Sequence, residues 1–148
     1  MVPVVLEPMM LALLRILLAT VVGLVIGGAT NMSIVLAGSR LVPPPAGVDV
    51  NDPESINAHL GEYPPIQFAV PFLAHALGTL VGAMVATLVA AGRQTIPAFI
   101  VGAMFLLGGV AMVRMLPDTP PWFIALDLGV AYLPMAWLGN RLAARPAT

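Results

Sequence analysis

The 148-residue chain has no cysteine and no lysine, and charge of either sign is scarce: six arginines and seven acids make up 9% of it, for a net charge of −1. Each scarcity excludes something. Without cysteine there are no disulfides, thiolate metal sites or paired-thiol redox centres. Without a basic field nothing draws in nucleic acid. A phosphate cradle of the usual kind, a glycine-rich loop with a nearby lysine opening a helix, is missing as well.

What is present is apolar. Hydrophobic residues make up 59% of the chain, far from a soluble balance in which about a quarter of residues are charged. This is the composition of an integral membrane protein whose first partner is the lipid bilayer. Four apolar runs, at 16–39, 68–91, 96–113 and 122–142, are bounded by arginine or proline. Each is near the roughly 20 residues a helix needs to cross about 30 Å of hydrocarbon. Backbone polar groups must be paired in lipid, and no period-two alternation points to a barrel, so the runs predict helices. The expected fold is an all-α, four-helix transmembrane bundle, one domain over 1–148, with a long outer loop at 40–67 that carries a short helix. The first run exceeds a signal peptide's apolar region of about 7–15 residues and has Glu7 in its leader, which predicts a retained span. Short connections at 92–95 and 116–121 make neighbouring spans antiparallel.

Arg15, Arg93, Arg141 and Arg145 fall on the side of the termini, against Arg40 and Arg114 on the other. The asymmetry places both termini in the cytoplasm. Trp122 and Trp137 suit the two interfaces of the last span. The outer loop then holds four of the seven acids and begins "LVPPPAGVD", a stretch stiffened by consecutive prolines. In "NDPESINAHLGE", Asp52 reads as an N-cap, Pro53 as the first helical residue and Gly61 as the stop, making a short lid or brace across the outer mouth. His59 and Glu62, three apart, have a metal-ligand spacing. Gly61 ends the helix between them, so a solvated surface helix is the better reading and no metal or cofactor is expected.

Depth singles out three polar residues. At 1.5 Å per residue, His75 lies about 10 Å below the outer end of its span, Asn31 about 12 Å and Asp127 about 8 Å. Ionisable side chains in a membrane are costly, about 2.5–3.5 kcal/mol for a central aspartate, and seldom face lipid. Asp127 beside His75 makes a natural ion pair, with Asn31 as a coordinating amide and Thr79 one turn deeper on the His75 face. Such a layer can hold a proton or an ion. It can also be structural glue, fixing which helices meet, and Arg114 reaching Asp127 would favour glue. Gly23 and Gly27 in the first span and Gly78 and Gly82 in the second form GxxxG patterns for close helix contact, within the chain or between copies. The third span reads as scaffold or as an oligomer face. Nucleophilic chemistry finds little support, since no strained turn presents Ser33 and His75 is the one plausible base.

"TNMS", "PPPAGVD", "FLAHALGTLVGA", "LLGG", "LPDTPPWF" and "LDLGVAYLPMAWLGNRLA" together cover nearly the whole chain. In these the chain resembles a group of small bacterial four-span membrane proteins of unassigned function. The resemblance implies a bacterial inner-membrane location and puts Asn31, His75 and Asp127 inside family motifs, with no catalytic role to transfer. The residues favour proton- or ion-linked transport or sensing over an enzyme. The alternative is a non-catalytic subunit that assembles with itself or with a larger membrane complex.

Overall fold

A computed structural model describes residues 6–91 and 95–144. Six α-helices form its frame: α1 (Leu6–Leu41), α2 (Pro53–Ala58), α3 (Ala69–Val89), α4 (Ile96–Met115), α5 (Pro121–Val130) and α6 (Leu133–Ala143). Two 3-10 turns, Leu60–Glu62 and Pro65–Phe68, join α2 to α3, and no strand occurs among the described residues. Four segments are long and apolar enough to cross a membrane: Glu7–Leu41, Pro65–Val89, Ile96–Met115 and Pro121–Ala143. The fold is therefore an all-α four-helix bundle, and the chain is a multi-pass membrane protein. Of the turn read at 92–95 only Thr95 is described, and Arg93 and Arg145 also lie outside the described residues.

Three elements differ from the sequence expectation. The first helix begins at Leu6 rather than at residue 16. Nothing between Leu6 and Arg15 breaks it, because Pro8 falls in the first turn, where its missing N–H is not needed. Its 36 residues extend about 54 Å, longer than the hydrocarbon, so it tilts or projects. Arg15 lies within it, and its Nε–H donates to the Val89 carbonyl at 3.5 Å, at the C-terminal end of α3.

The short loop helix stops at Ala58, before Gly61, with His59 as its C-cap. The Glu62 N–H closes on the His59 carbonyl at 2.9 Å, tightening the chain into a 3-10 turn.

The fourth span is broken. Tyr132 departs from helical geometry at φ −114° and ψ −83°. Two residues later comes Pro134, which has no N–H for the Val130 carbonyl and whose ring crowds that carbonyl. Helical bonding ends with Ala131 N–H to Asp127 and resumes with Ala136 N–H to Tyr132.

α3 is the central helix, packing on α1, α4 and α6. Its buried residues are all small: Ala74, Ala76, Gly78, Thr79, Gly82, Ala83, Ala86 and Thr87. In lipid no hydrophobic force draws helices together, so contact comes from close backbone approach. Gly23 and Gly27 of α1 meet Gly82 and Gly78 of α3 in antiparallel register. A methyl group added at Gly23 would lie 2.7 Å from the Gly82 carbonyl oxygen, and one at Gly27 would lie 2.7 Å from that of Gly78. The two GxxxG patterns are thus used on each other within one chain. α4 joins through Gly102, where a methyl would strike the Ala136 Cβ at 2.6 Å. In α6, Gly139 rests on the α3 backbone at Leu80.

This register makes a prediction. Gly82→Leu and Gly27→Val force α1 and α3 apart and cost about 1–3 kcal/mol each, as overpacking does. Gly28→Ala, with nothing within 4 Å of the added carbon, leaves stability unchanged. Thermal unfolding in detergent compares them, and equal melting of Gly28→Ala and Gly82→Leu would contradict the register.

Candidate functional site

His75 leaves α3 toward α5, and its Nδ1 lies 2.9 Å and 3.0 Å from the two carboxylate oxygens of Asp127. With Asp127 ionised, the carboxylate has no proton to give, and Nδ1 carries the hydrogen and donates it. Tyr132, at the break in the fourth span, donates its hydroxyl to Asp127 Oδ2 at 3.0 Å. Its ring stacks on the imidazole, with centroids 5.5 Å apart at 30°. Gly109 of α4 makes room for that ring: a methyl group there would run into the tyrosine hydroxyl. One carboxylate is therefore held by donors from two elements, while a third supplies the space.

The three residues differ in exposure. Asp127 and Tyr132 are buried, at 4% and 2%, whereas the His75 side chain keeps 24% of its surface accessible. His75 and Asp127 both line a cavity of about 330 Å³ that extends to the loop. Its walls come from α1 at Val35 and Ser39, from α3 at Val70 and Pro71, and from α4 at Met112 and Val113. Val50, Ile56 and Leu60 of the loop line it as well, so the loop forms its roof. With Nδ1 committed to Asp127, the ring nitrogen left for other partners is Nε2, an acceptor on neutral imidazole and a donor on imidazolium.

The roof is tied down at several points. Asn57 Nδ2–H donates to Asp118 Oδ2 at 2.8 Å, and the Asp118 N–H returns a bond to Asn57 Oδ1 at 3.0 Å. This reciprocal pair latches α2 to the turn before α5. Gln67 donates from Nε2 to the Pro43 carbonyl. Phe68 packs against Phe123 and Trp122, with ring centroids 5.0 Å and 5.5 Å away. Tyr63 joins this aromatic cluster, and burial pushes its phenol pKa above the ordinary value.

The other sequence candidates fall in different places. Asn31 packs at the α1–α3 contact, where a methyl on Gly78 would come within 2.9 Å of its Cβ. Among the described residues its amide makes no hydrogen bond to His75 or Asp127. Thr79 is fully buried one turn from His75, and its hydroxyl has no hydrogen-bond partner among the described residues. Arg114 is exposed, and the one ion pair among the described residues is His75 with Asp127, so Arg114 does not bridge to the carboxylate. Asp52 caps α2 by accepting the Glu54 N–H at 3.0 Å. His59 Nδ1 lies 2.7 Å from the Ser55 carbonyl, an acceptor that sets the ring nitrogen as donor. Glu62 is exposed beyond it. No group of three metal-ligating side chains occurs among the described residues.

Two polar partnerships escape a reading of the sequence. Tyr132 sits inside an apolar run, and its signal was the proline two residues later together with an aspartate five residues earlier. Thr87 of α3 donates to Asn140 Oδ1 of α6 at 3.0 Å, both buried, forming a second polar contact far from the loop. His75 and Thr79, four apart on α3, share a face, whereas Thr87, twelve residues from His75, is turned about 120° away from it. Comparison of the chain with protein-family models, with curated proteins and with solved structures finds no match.

Tyr132→Phe keeps the ring stack but deletes the bond to Asp127, and it should lower stability in detergent by about 0.5–2 kcal/mol. Asn57→Ala opens the latch, and limited proteolysis should then cut within 40–67 faster than in the unsubstituted protein at unchanged melting temperature. Equal cutting rates would show that the latch does not hold the roof.

Proposed function

We propose that this protein is a proton-linked transporter or sensor of the bacterial inner membrane, with both termini cytoplasmic, and that His75 is the group that takes up and releases the proton. The observation that carries this reading is the split environment of one imidazole: one nitrogen is fixed to a buried carboxylate while the ring borders a cavity beneath the loop. Asp127 orients the ring and stabilises the imidazolium, and Tyr132 holds Asp127 in place. Histidine is the side chain whose charge changes most readily near neutral pH.

The location draws on the arginine asymmetry and on the resemblance to small bacterial four-span proteins noted above, neither of which bears on the chemistry. An enzyme finds less support. The lining hydroxyls of Ser39 and Thr119 donate to the carbonyls of Leu36 and Leu116, so neither is paired with a base that would activate it.

His75→Ala and Asp127→Asn are the test. Both variants should still fold and elute as the unsubstituted protein does, melting lower because each removes a partner of the buried pair, and pH-driven flux into proteoliposomes should fall to the level of empty vesicles. Imidazole nitrogen NMR should show His75 gaining a proton as the pH is lowered. An imidazole that never changes charge would remove the proton site. Loss of folding in both variants with flux unaffected by milder changes would assign the pair to packing.

A further inference from the structure

We propose that the cavity binds a compact lipophilic monocation, and that this cation and the proton on His75 exclude one another; the inference rests on reading His75 as the proton site. It starts from a count of charge. With His75 neutral, the site carries one negative charge, on Asp127. Tyr132, from the break in the fourth span, is a neutral donor to it. Tyr63, from the loop, has its phenol pKa raised by burial and stays neutral. From α1 the cavity receives Val35 and Ser39, and from α4 it receives Gly109, Met112 and Val113, none of them charged. Arg114, next along α4, is exposed and makes no ion pair with Asp127.

A single negative charge in surroundings of low dielectric gains most from one positive charge. A proton on His75 Nε2 is one way to supply it, and a cation in the cavity is the other. Both together would leave an excess positive charge in the same apolar space, which is why they compete. Exchange is balanced: the cation enters, the Nε2 proton leaves to water, Nδ1–H stays on Asp127, and the net charge of the site is zero before and after.

The cavity's size and lining fit such an occupant. About 330 Å³ is at the small end of ligand sites, enough for one cationic nitrogen with a ring or a short chain. The lining is predominantly apolar and includes the aromatic rings of Tyr63, Phe68 and Phe123, a residue type whose face attracts cations. An anion would be repelled by Asp127, and a neutral amphiphile would leave the carboxylate uncompensated.

Equilibrium dialysis of the full chain in nanodiscs, against empty nanodiscs, tests this with two probes. Benzyltrimethylammonium carries a permanent charge, and neopentylbenzene has the same shape with carbon in place of the charged nitrogen. The cation should bind more tightly as pH rises, by up to about tenfold per pH unit while His75 is losing its proton. In weakly buffered solution its binding should release up to one proton. The neutral probe should show no pH dependence.

Asp127→Asn should lose the cation while still binding the neutral probe, which reports that the cavity is formed. His75→Gln should keep the cation and lose the pH dependence. The exchange is overturned if the neutral probe binds as well as the cation at every pH, if the cation binds without releasing protons, or if neither probe binds. Imidazole NMR without any ligand separates these outcomes from failure of the proton site itself, since His75 would still titrate.

Discussion

A carboxylate removed from water has to be met by donors, and the upper half of this bundle is arranged around that requirement at Asp127. α3 presents His75 and the interrupted fourth span turns Tyr132 back toward its own preceding turn. α4 contributes the absence of a side chain at Gly109, where the tyrosine hydroxyl would otherwise meet a methyl group. The helix break is part of the same arrangement. In lipid, irregular backbone is tolerated where it is buried in protein or lines a cavity, and Ala131 and Tyr132 are among the most buried residues of the chain.

The other half of the construction is the close approach of α1 and α3. Because carbonyl oxygens of one helix lie against glycines of the other, the pair has little freedom to slide, and α3 is fixed as the axis on which α4 and α6 pack. Its stripe of small residues serves both sides of that axis. Polar side chains are placed along it at His75 near the loop, at Thr79 one turn on and at Thr87 toward the opposite end, and Ala83, between Thr79 and Thr87, packs against Ala98 and Ala136.

Much of this was legible in the sequence. Span number followed from the length of the apolar runs, while the two glycine pairs spaced by four fitted contact within the chain or between copies alike, and spacing alone does not choose between them. The pairing of His75 with Asp127 was approached by depth, since helical rise gives height directly. Rise does not give rotation about the helix axis, and that is why Asn31, at a similar height, lies instead at the Gly78 contact. The break at Tyr132 was hidden because apolar composition continues through it, even though Pro134 carried the warning. The Asn57–Asp118 latch joins residues 61 apart in sequence, and no local pattern could pair them. The start of α1 was misplaced because Arg15 looks like a boundary, whereas an arginine on a long helix can sit at the membrane edge with its chain extended along the apolar surface.

The break has a mechanical consequence. α5 is only ten residues long, about 15 Å, and non-helical backbone bounds it at both ends. One end is joined to the loop through Asp118 and Asn57; the other is joined to α6 through Tyr132. Asp127 rides on this short segment, six residues past Pro121 and so under two helical turns from the roof end. The latch and the carboxylate are therefore carried by one short piece of helix, while the imidazole that meets the carboxylate is carried by another.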